Sequence, residues 1–417
     1  MTDARVLDAP WLRSGPAARV LALLNCVGEE ARVVGGAVRN ALLGIPIGDI
    51  DIATTALPTE VVRRAKAASI KSVPTGIDHG TVTLVLEGHP FEVTTLRLDT
   101  ETFGRKAKVE FGRDWVGDAH RRDFTMNALS VSADGIIHDY VGGLADIAAR
   151  RVRFIGDPAQ RIAEDYLRIL RFFRIHAAFG HGEPDRDGYL ACIAARAGLA
   201  TLSAERVRME MLKLVVTDGA VGAITAMTDG GLLTSILGGV VYLGPFAAMI
   251  EAERQSALPP HPIRRLAALA VAVTEDARRL GTRLKLSNAE TKALDSMGHR
   301  WWRFASADEA RARRLLYRLG EANYRDRLLL GWARAGRDRS DPRWCDLALL
   351  PQRFTPPKFP LKAADFIARG IAEGPLLGHV LTLAEDAWLA ADFPLDEPRL
   401  HAIADQAAAR IHRDGRS

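Results

Sequence analysis

The 417-residue chain has only three cysteines, Cys26, Cys192 and Cys345, far apart and without a CxxC pair. Such a set builds neither a disulfide framework nor a zinc site, and it points to the reducing cytoplasm. No apolar run reaches about 18 residues, so no membrane-spanning helix is expected. The first residues, MTDARVLDAPWLRSG, carry acids early and lack an apolar h-region, unlike a secretory signal. His-Asp occurs only at His138-Asp139, too little for an appended phosphohydrolase with clustered His-Asp ligands. No internal repeat is evident. What is present is ordinary for a soluble globular protein: 48% apolar and 26% charged residues. The length exceeds one core, so several domains are expected. A net charge of +5 and a pI near 9.2 favour a polyanionic partner.

The most informative stretch is VVGGAVRNALLGIPIGDIDIAT, Val33 to Thr54. It reads as strand, glycine turn, helix, loop and strand. Asp49 and Asp51 are two apart on an extended segment, so both carboxylates project to one side while Ile50 and Ile52 project to the other. Paired carboxylates repel unless a cation lies between them, and a hard divalent ion such as Mg²⁺ suits oxygen ligands. Gly35-Gly36 lets backbone N–H groups approach an anion at a helix start, and Arg39 adds a permanent charge. The combination suggests metal-assisted nucleotidyl transfer.

Along the chain, residues 1–28 read as a leader helix with Val20, Leu21, Leu23 and Leu24 as its apolar face. Strands are expected at Ala31–Val34, Ile50–Ala53, Thr81–Leu86 and Phe91–Leu96, the last two joined by Glu87-Gly88-His89-Pro90. Helices are expected at Ala37–Leu43 and from Pro58 to about Ala68. Pro74–Gly80 and the polar Asp99–Val109 read as loops, the second mobile. Alternation sets Glu92 opposite Phe91 and Val93, either as a third carboxylate beside Asp49 and Asp51 or as a solvent-facing residue. Asp139–Ile147, with its paired glycines, reads as a hinge. From Ala148 onward the period is helical throughout, with amphipathic helices at Arg161–Phe179 and Ser203–Val216.

Two further clusters carry chemistry. Arg121-Arg122-Asp123-Phe124-Thr125-Met126-Asn127 puts two arginines before an acid. Glu164-Asp165-Tyr166-Leu167-Arg168 continues to Arg171 and Arg174, with Ile162, Tyr166, Ile169 and Phe173 as an apolar stripe. Asp165 and Arg168 are three apart on one polar face. A carboxylate beside a guanidinium offers an acceptor and a donor. Cytosine and adenine present an amino group beside a ring acceptor, whereas guanine and uracil present a carbonyl to the carboxylate.

GGAVRN, LLG, DIDIATT, RRDFTMNA and EDYLR occur in that order, and together they resemble the class II CCA-adding enzymes and their bacterial poly(A) polymerase relatives. The resemblance covers roughly residues 30–220. The one departure is Asn40, where the family usually carries Asp. The resemblance implies an α+β protein: a nucleotidyltransferase head with a small mixed sheet at 29–147, a helical neck at 148–225, a helical body at 226–300 and a helical, tRNA-binding tail at 301–417. It implies addition of C, C and A to tRNA from CTP and ATP with Mg²⁺, by Asp49, Asp51 and Glu92. Gly35, Gly36, Arg39, Arg122, Asp123 and Asn127 would hold phosphate and ribose, with Asp123 reading the 2′-hydroxyl. Glu164, Asp165, Arg168, Arg171 and Arg174 would select the base. The neck segment Leu202–Glu210 would be structural. The crowd of Arg311, Arg313, Arg314, Arg318, Arg325 and Arg327 would follow RNA phosphates. PTGIDHGTVTLV resembles the CCA-adding branch, and no basic GRRF-type segment of the polymerases is found. A partial CC- or A-adding activity and an inactive RNA-binding protein are further alternatives.

Overall fold

A computed structural model of the chain describes residues 6–77, 80–103 and 106–414, with the backbone alone for 98–103, 106–110, 337–338 and 414. The chain divides into two units, Met1–Gly238 and Gly239–Ser417. The leader helix is two short pieces, Pro10–Arg13 and Pro16–Leu24, and Val20, Leu21 and Leu24 are buried as expected.

The strands are β1 (Ala31–Val34), β2 (Ile50–Thr54), β3 (Lys71–Gly76), β4 (Thr81–Leu86), β5 (His89–Thr95), β6 (Arg97–Phe103), β7 (Lys106–Phe111), β8 (Ser130–Val131) and β9 (Ile137–His138). Seven of them form one sheet in the order β3-β4-β5-β2-β1-β8-β9. Only β2 and β5 are parallel, so the sheet is mixed. Alternation works as the sequence implies. Ile52, Phe91 and Val93 are buried, and Asp51 and Glu92 are open to solvent. Glu87 and Gly88 both have positive φ, +52° and +80°, the conformation that closes a two-residue hairpin between β4 and β5.

The structure corrects several expectations. Pro74 lies in β3 rather than in a loop; β3 is the sheet edge, where a missing N–H is tolerated. Asp99–Val109 is not a loop but mostly the antiparallel pair β6 and β7, with residues 104 and 105 outside the described residues. Its mixed charges hid a strand register in which Glu101 stands opposite Lys108. The Gly142-Gly143 pair is a packed turn and not a hinge. Asp139 accepts from four successive N–H groups there, and a Cβ at Gly143 would lie 2.3 Å from the Thr125 carbonyl. The Arg161–Phe179 helix is two helices, Pro158–Glu164 and Leu167–Phe179, broken where Asp165 is extended at φ −156°. The Asp165 side chain accepts from Leu167 N (3.1 Å) and so starts the second helix. The apolar stripe survives the break, with Ile162, Ile169 and Phe173 fully buried.

Phe124 packs at a tilt into a buried cluster with Phe154 and Phe172, at 4.9 and 6.2 Å between ring centroids. That cluster fixes the RRDFT segment against the Leu167–Phe179 helix. The second unit is helical, with a core around Trp388, Phe366 and Val380. Its buried Glu253 accepts from Arg264 (2.9 Å) and Arg265 (2.7 Å). Among the described residues no helix is long and apolar enough to cross a membrane.

Candidate active site

Strand β1 ends at Val34 and the chain turns at Gly35, where φ is +72° and the N–H donates to the Leu129 carbonyl. A Cβ there would lie 3.3 Å from an Arg122 nitrogen, so glycine is favoured by backbone and by space. Gly36 opens the helix that carries Arg39. The Arg39 guanidinium lies 3.6 Å from the centre of the Phe179 ring and donates to Asn127 Oδ1 (2.5 Å) and Asn40 Oδ1 (2.8 and 3.1 Å). Asn40 also donates to the Pro46 carbonyl (3.0 Å). Among the described residues the direct hydrogen-bond partners of Arg39 are the neutral Asn40 and Asn127. Burial, and then Arg174, lower its pKa to about 10 against the pull of Asp123, which leaves it cationic at neutral pH.

Asp51 and Glu92 face each other as register partners across the parallel β2–β5 pair. Asp49 precedes β2 and is exposed. Partial desolvation, with the side chain still reached by solvent, and then the Glu92 charge, push the Asp51 carboxyl up to about 6; Asp49 adds to this and Arg122 opposes it. Strand register therefore supports the reading of Glu92 as a third carboxylate beside Asp51.

Buried Asp118 organises the double arginine, accepting from Arg121 Nε (2.8 Å) and from Arg122 (3.1 and 3.2 Å). Arg161 donates to the carbonyls of both arginines at 2.5 Å. Asp123 is buried and engaged by Phe124 N–H (2.9 Å), Asn127 (3.4 Å) and Arg171 (2.6 and 2.7 Å). The Asp123 carboxylate outweighs burial and holds the Arg171 pKa above its ordinary value.

Asp165 and Arg168, three apart in sequence, do not form a side-chain ion pair with each other. The helix break turns the Asp165 side chain toward Arg206, 2.5 Å away. Arg168 is held by Glu164 and by the Arg161 carbonyl (2.6 Å). Burial disfavours charge on Asp165, but the Arg206 bond and the Leu167 N–H outweigh it and keep its pKa low. Arg174 donates to buried Glu210 at 2.5 Å.

Most of the predicted site residues line one cavity of about 570 Å³. Gly35, Gly36, Arg39, Asp51, Arg122, Asp123, Asn127, Asp165, Arg168, Arg171 and Arg174 all contribute to its wall, as the sequence implies. Asp49, Glu92 and Glu164 do not. Glu92 lines a smaller cavity of about 320 Å³, to which Asp51 also contributes. Sequence reasoning missed Asp118, Arg161, Phe179 and Lys213, and it read the helix bearing Arg206 and Glu210 as mere support. The i,i+3 and i,i+4 spacing of Asp118 to Arg121 and Arg122 was a readable signal for the first.

Among the described residues no group of three or more His, Cys, Asp or Glu side chains is gathered closely enough to hold a metal alone. A magnesium ion ordinarily takes one or two carboxylates and completes its shell with substrate phosphate and water. The all-oxygen pair Asp49/Asp51, with Asp51 made reluctant to ionise by desolvation and then by the Glu92 charge, fits that requirement.

A family model described as the Poly A polymerase head domain matches residues 31–153. The mouse protein named CCA tRNA nucleotidyltransferase 1, mitochondrial, is 34% identical over 395 residues, covering 89% of this chain and 86% of that protein. The CCA-adding enzyme of Limosilactobacillus fermentum is 32% identical over 386 residues, covering 88% and 90%. The crystal structure of Bacillus stearothermophilus CCA-adding enzyme in complex with CTP superposes with a TM-score of 0.74 at 26% identity, covering 95% of this chain and 98% of that one. With a mixed-sheet head, a polar cavity and this similarity along nearly its whole length, the chain belongs to the CCA tRNA nucleotidyltransferase family.

Proposed function

We propose that this enzyme completes tRNA 3′ ends in the cytoplasm by adding C, C and A from CTP and ATP. The 3′-hydroxyl oxygen loses its proton to solvent and attacks the α-phosphorus, the bond to the β-phosphate oxygen breaks, and pyrophosphate leaves with the electron pair. The carrying observation is a single cavity with a fixed acceptor and donor, Asp165 and Arg168, beside a glycine-turn wall and Asp51.

Because Asp165 is held by Arg206 and Arg168 by Glu164, neither reading group is quenched by the other. Asp165 accepts from the amino group of cytosine or adenine, and Arg168 donates to the neighbouring ring nitrogen. Guanine and uracil put a carbonyl against the carboxylate and leave both sides unpaired. Gly35, Gly36, Arg39 and Arg122 receive the phosphates. Asp123 has lone pairs left beyond its present partners and takes the ribose 2′-hydroxyl, with Asn127 and Arg171 fixing its direction. Asp49 and Asp51 would hold Mg²⁺, with Glu92 adding negative charge next to Asp51. Bound there, the ion supplies Lewis-acid activation of the attacking hydroxyl and stabilises charge on the phosphoryl oxygens.

The test uses purified protein, Mg²⁺ and a tRNA lacking its 3′ end, with products resolved at single-nucleotide length. Two additions from CTP alone, and three and no more from CTP with ATP, are expected. A long ladder from ATP alone would establish poly(A) polymerase activity instead.

A further inference from the structure

The helix Ala204–Leu214 presents Arg206, Glu210 and Lys213 at helical spacing, with Thr217 just beyond its end. The first two meet ionic partners across the groove: Arg206 holds Asp165, and Glu210 holds Arg174. One turn beyond Arg174 on the opposing helix is Ala178, which has no polar group. Lys213 is exposed, lines the cavity with Ala178, Phe179 and Thr217, and has no carboxylate partner among the described residues. Of the three carboxylates in the cavity wall, Asp165 is bound to Arg206, Asp123 to Arg171, and Asp51 belongs to the sheet. Phe179, at this same end, is the ring on which Arg39 rests.

We propose that Lys213 is a nucleotide-binding residue whose ammonium group takes the polyphosphate tail of the incoming nucleoside triphosphate, opposite Arg39. The inference rests on the nucleotide reading of the cavity. An ammonium group is a compact charge with three donors, suited to phosphate oxygens without fixed geometry. When the α–β phosphate link breaks, negative charge collects on the departing pyrophosphate. A cation at that end stabilises the transition state more than the ground state.

The experiment compares wild-type protein with Lys213→Gln and Lys213→Arg, using CTP, CMP, inorganic pyrophosphate and tRNA lacking its 3′ end as separate titrants. We expect Lys213→Gln to weaken CTP and pyrophosphate about tenfold, equivalent to about 1.4 kcal/mol. CMP and tRNA affinities stay unchanged, and Lys213→Arg recovers most of the loss. Unchanged CTP and pyrophosphate binding overturns the assignment. So does an equal loss on CMP, which reports a disturbed pocket, or a loss confined to tRNA, which moves the lysine to the RNA. A wild-type protein that binds no CTP sinks the nucleotide reading itself, a failure separate from that of the lysine alone.

Discussion

Arg39 is held by two amide oxygens and an aromatic face, so its charge is kept in place without being cancelled. Asn40 achieves at this point what an aspartate would do at the cost of neutralising the guanidinium, and its amide also grips the Pro46 carbonyl, which an aspartate repels. Asp165 is oriented differently, by the cationic Arg206, on which its acceptor role depends. Asp165→Ala is expected to admit GTP and UTP while Asp49 and Asp51 remain intact. Arg206→Ala should shift selectivity in the same direction by a smaller factor, because the carboxylate survives but swings free. The measurement is the ratio of GTP and UTP to CTP incorporation in single turnover, and an Arg206→Ala enzyme as selective as wild type removes the neck helix from base choice. Asp49→Ala or Asp51→Asn should lower incorporation roughly 10³-fold or more, with tRNA affinity preserved in a binding assay.

Among the elements, the segment joining the sheet to the helices is anchored by a buried carboxylate. Asp146 is fully buried and accepts from Thr125 (2.6 Å), Arg151 (2.8 Å) and Arg153 (3.0 Å). Burial alone would raise its pKa, but these bonds outweigh that and hold it below the ordinary carboxylate range. A depressed folded-state pKa contributes stability above the unfolded value of about 3.9, lost as pH falls through the folded value. Asp146→Asn should therefore cost about 2 kcal/mol near neutrality, a moderate figure because both arginines are about half exposed. The gap in melting temperature between variant and wild type should close below about pH 4; a gap constant from pH 7 to 3 would count against a charged Asp146. The β4 and β5 strands were legible because side-chain alternation there is enforced by a buried face. The β6–β7 pair was not, since its signal lies in cross-strand register, which a linear reading does not contain. Asp165 likewise looked helical from the apolar stripe, which persists across the break; the competing interaction was its own side chain capping Leu167. The wall of the cavity was legible as motifs, while the partners that orient it come from residues distant in sequence, such as Arg206 to Asp165.

For the molecule as a whole, the basic balance is distributed less simply than the composition suggests. In the second unit Arg313 pairs with Glu309 and Asp392, Arg318 with Asp386, and Arg325 with Glu321. Half of the arginine crowd expected to follow RNA phosphates is thus already neutralised. Arg300 and Arg303 are exposed, without a carboxylate partner among the described residues, and flank Trp302, which is 49% exposed. If the chain grips tRNA there, replacing Arg300 and Arg303 with Gln should weaken binding and lower its logarithmic salt dependence by up to about two. The triple Gln variant at 313, 318 and 325 should change binding little. The comparison is a tRNA titration across salt concentrations, and equal losses in both variants would remove the distinction. In the first unit seven cationic side chains and three carboxylates line one cavity. That excess of like charge is a standing repulsion in the empty protein, and any polyphosphate that enters relieves it. Substrate is therefore also a structural partner: at a hundred times its dissociation constant it adds about 2.7 kcal/mol to folding stability. The heat tolerance of this enzyme in a cell is then set by the nucleotide supply as well as by the sequence.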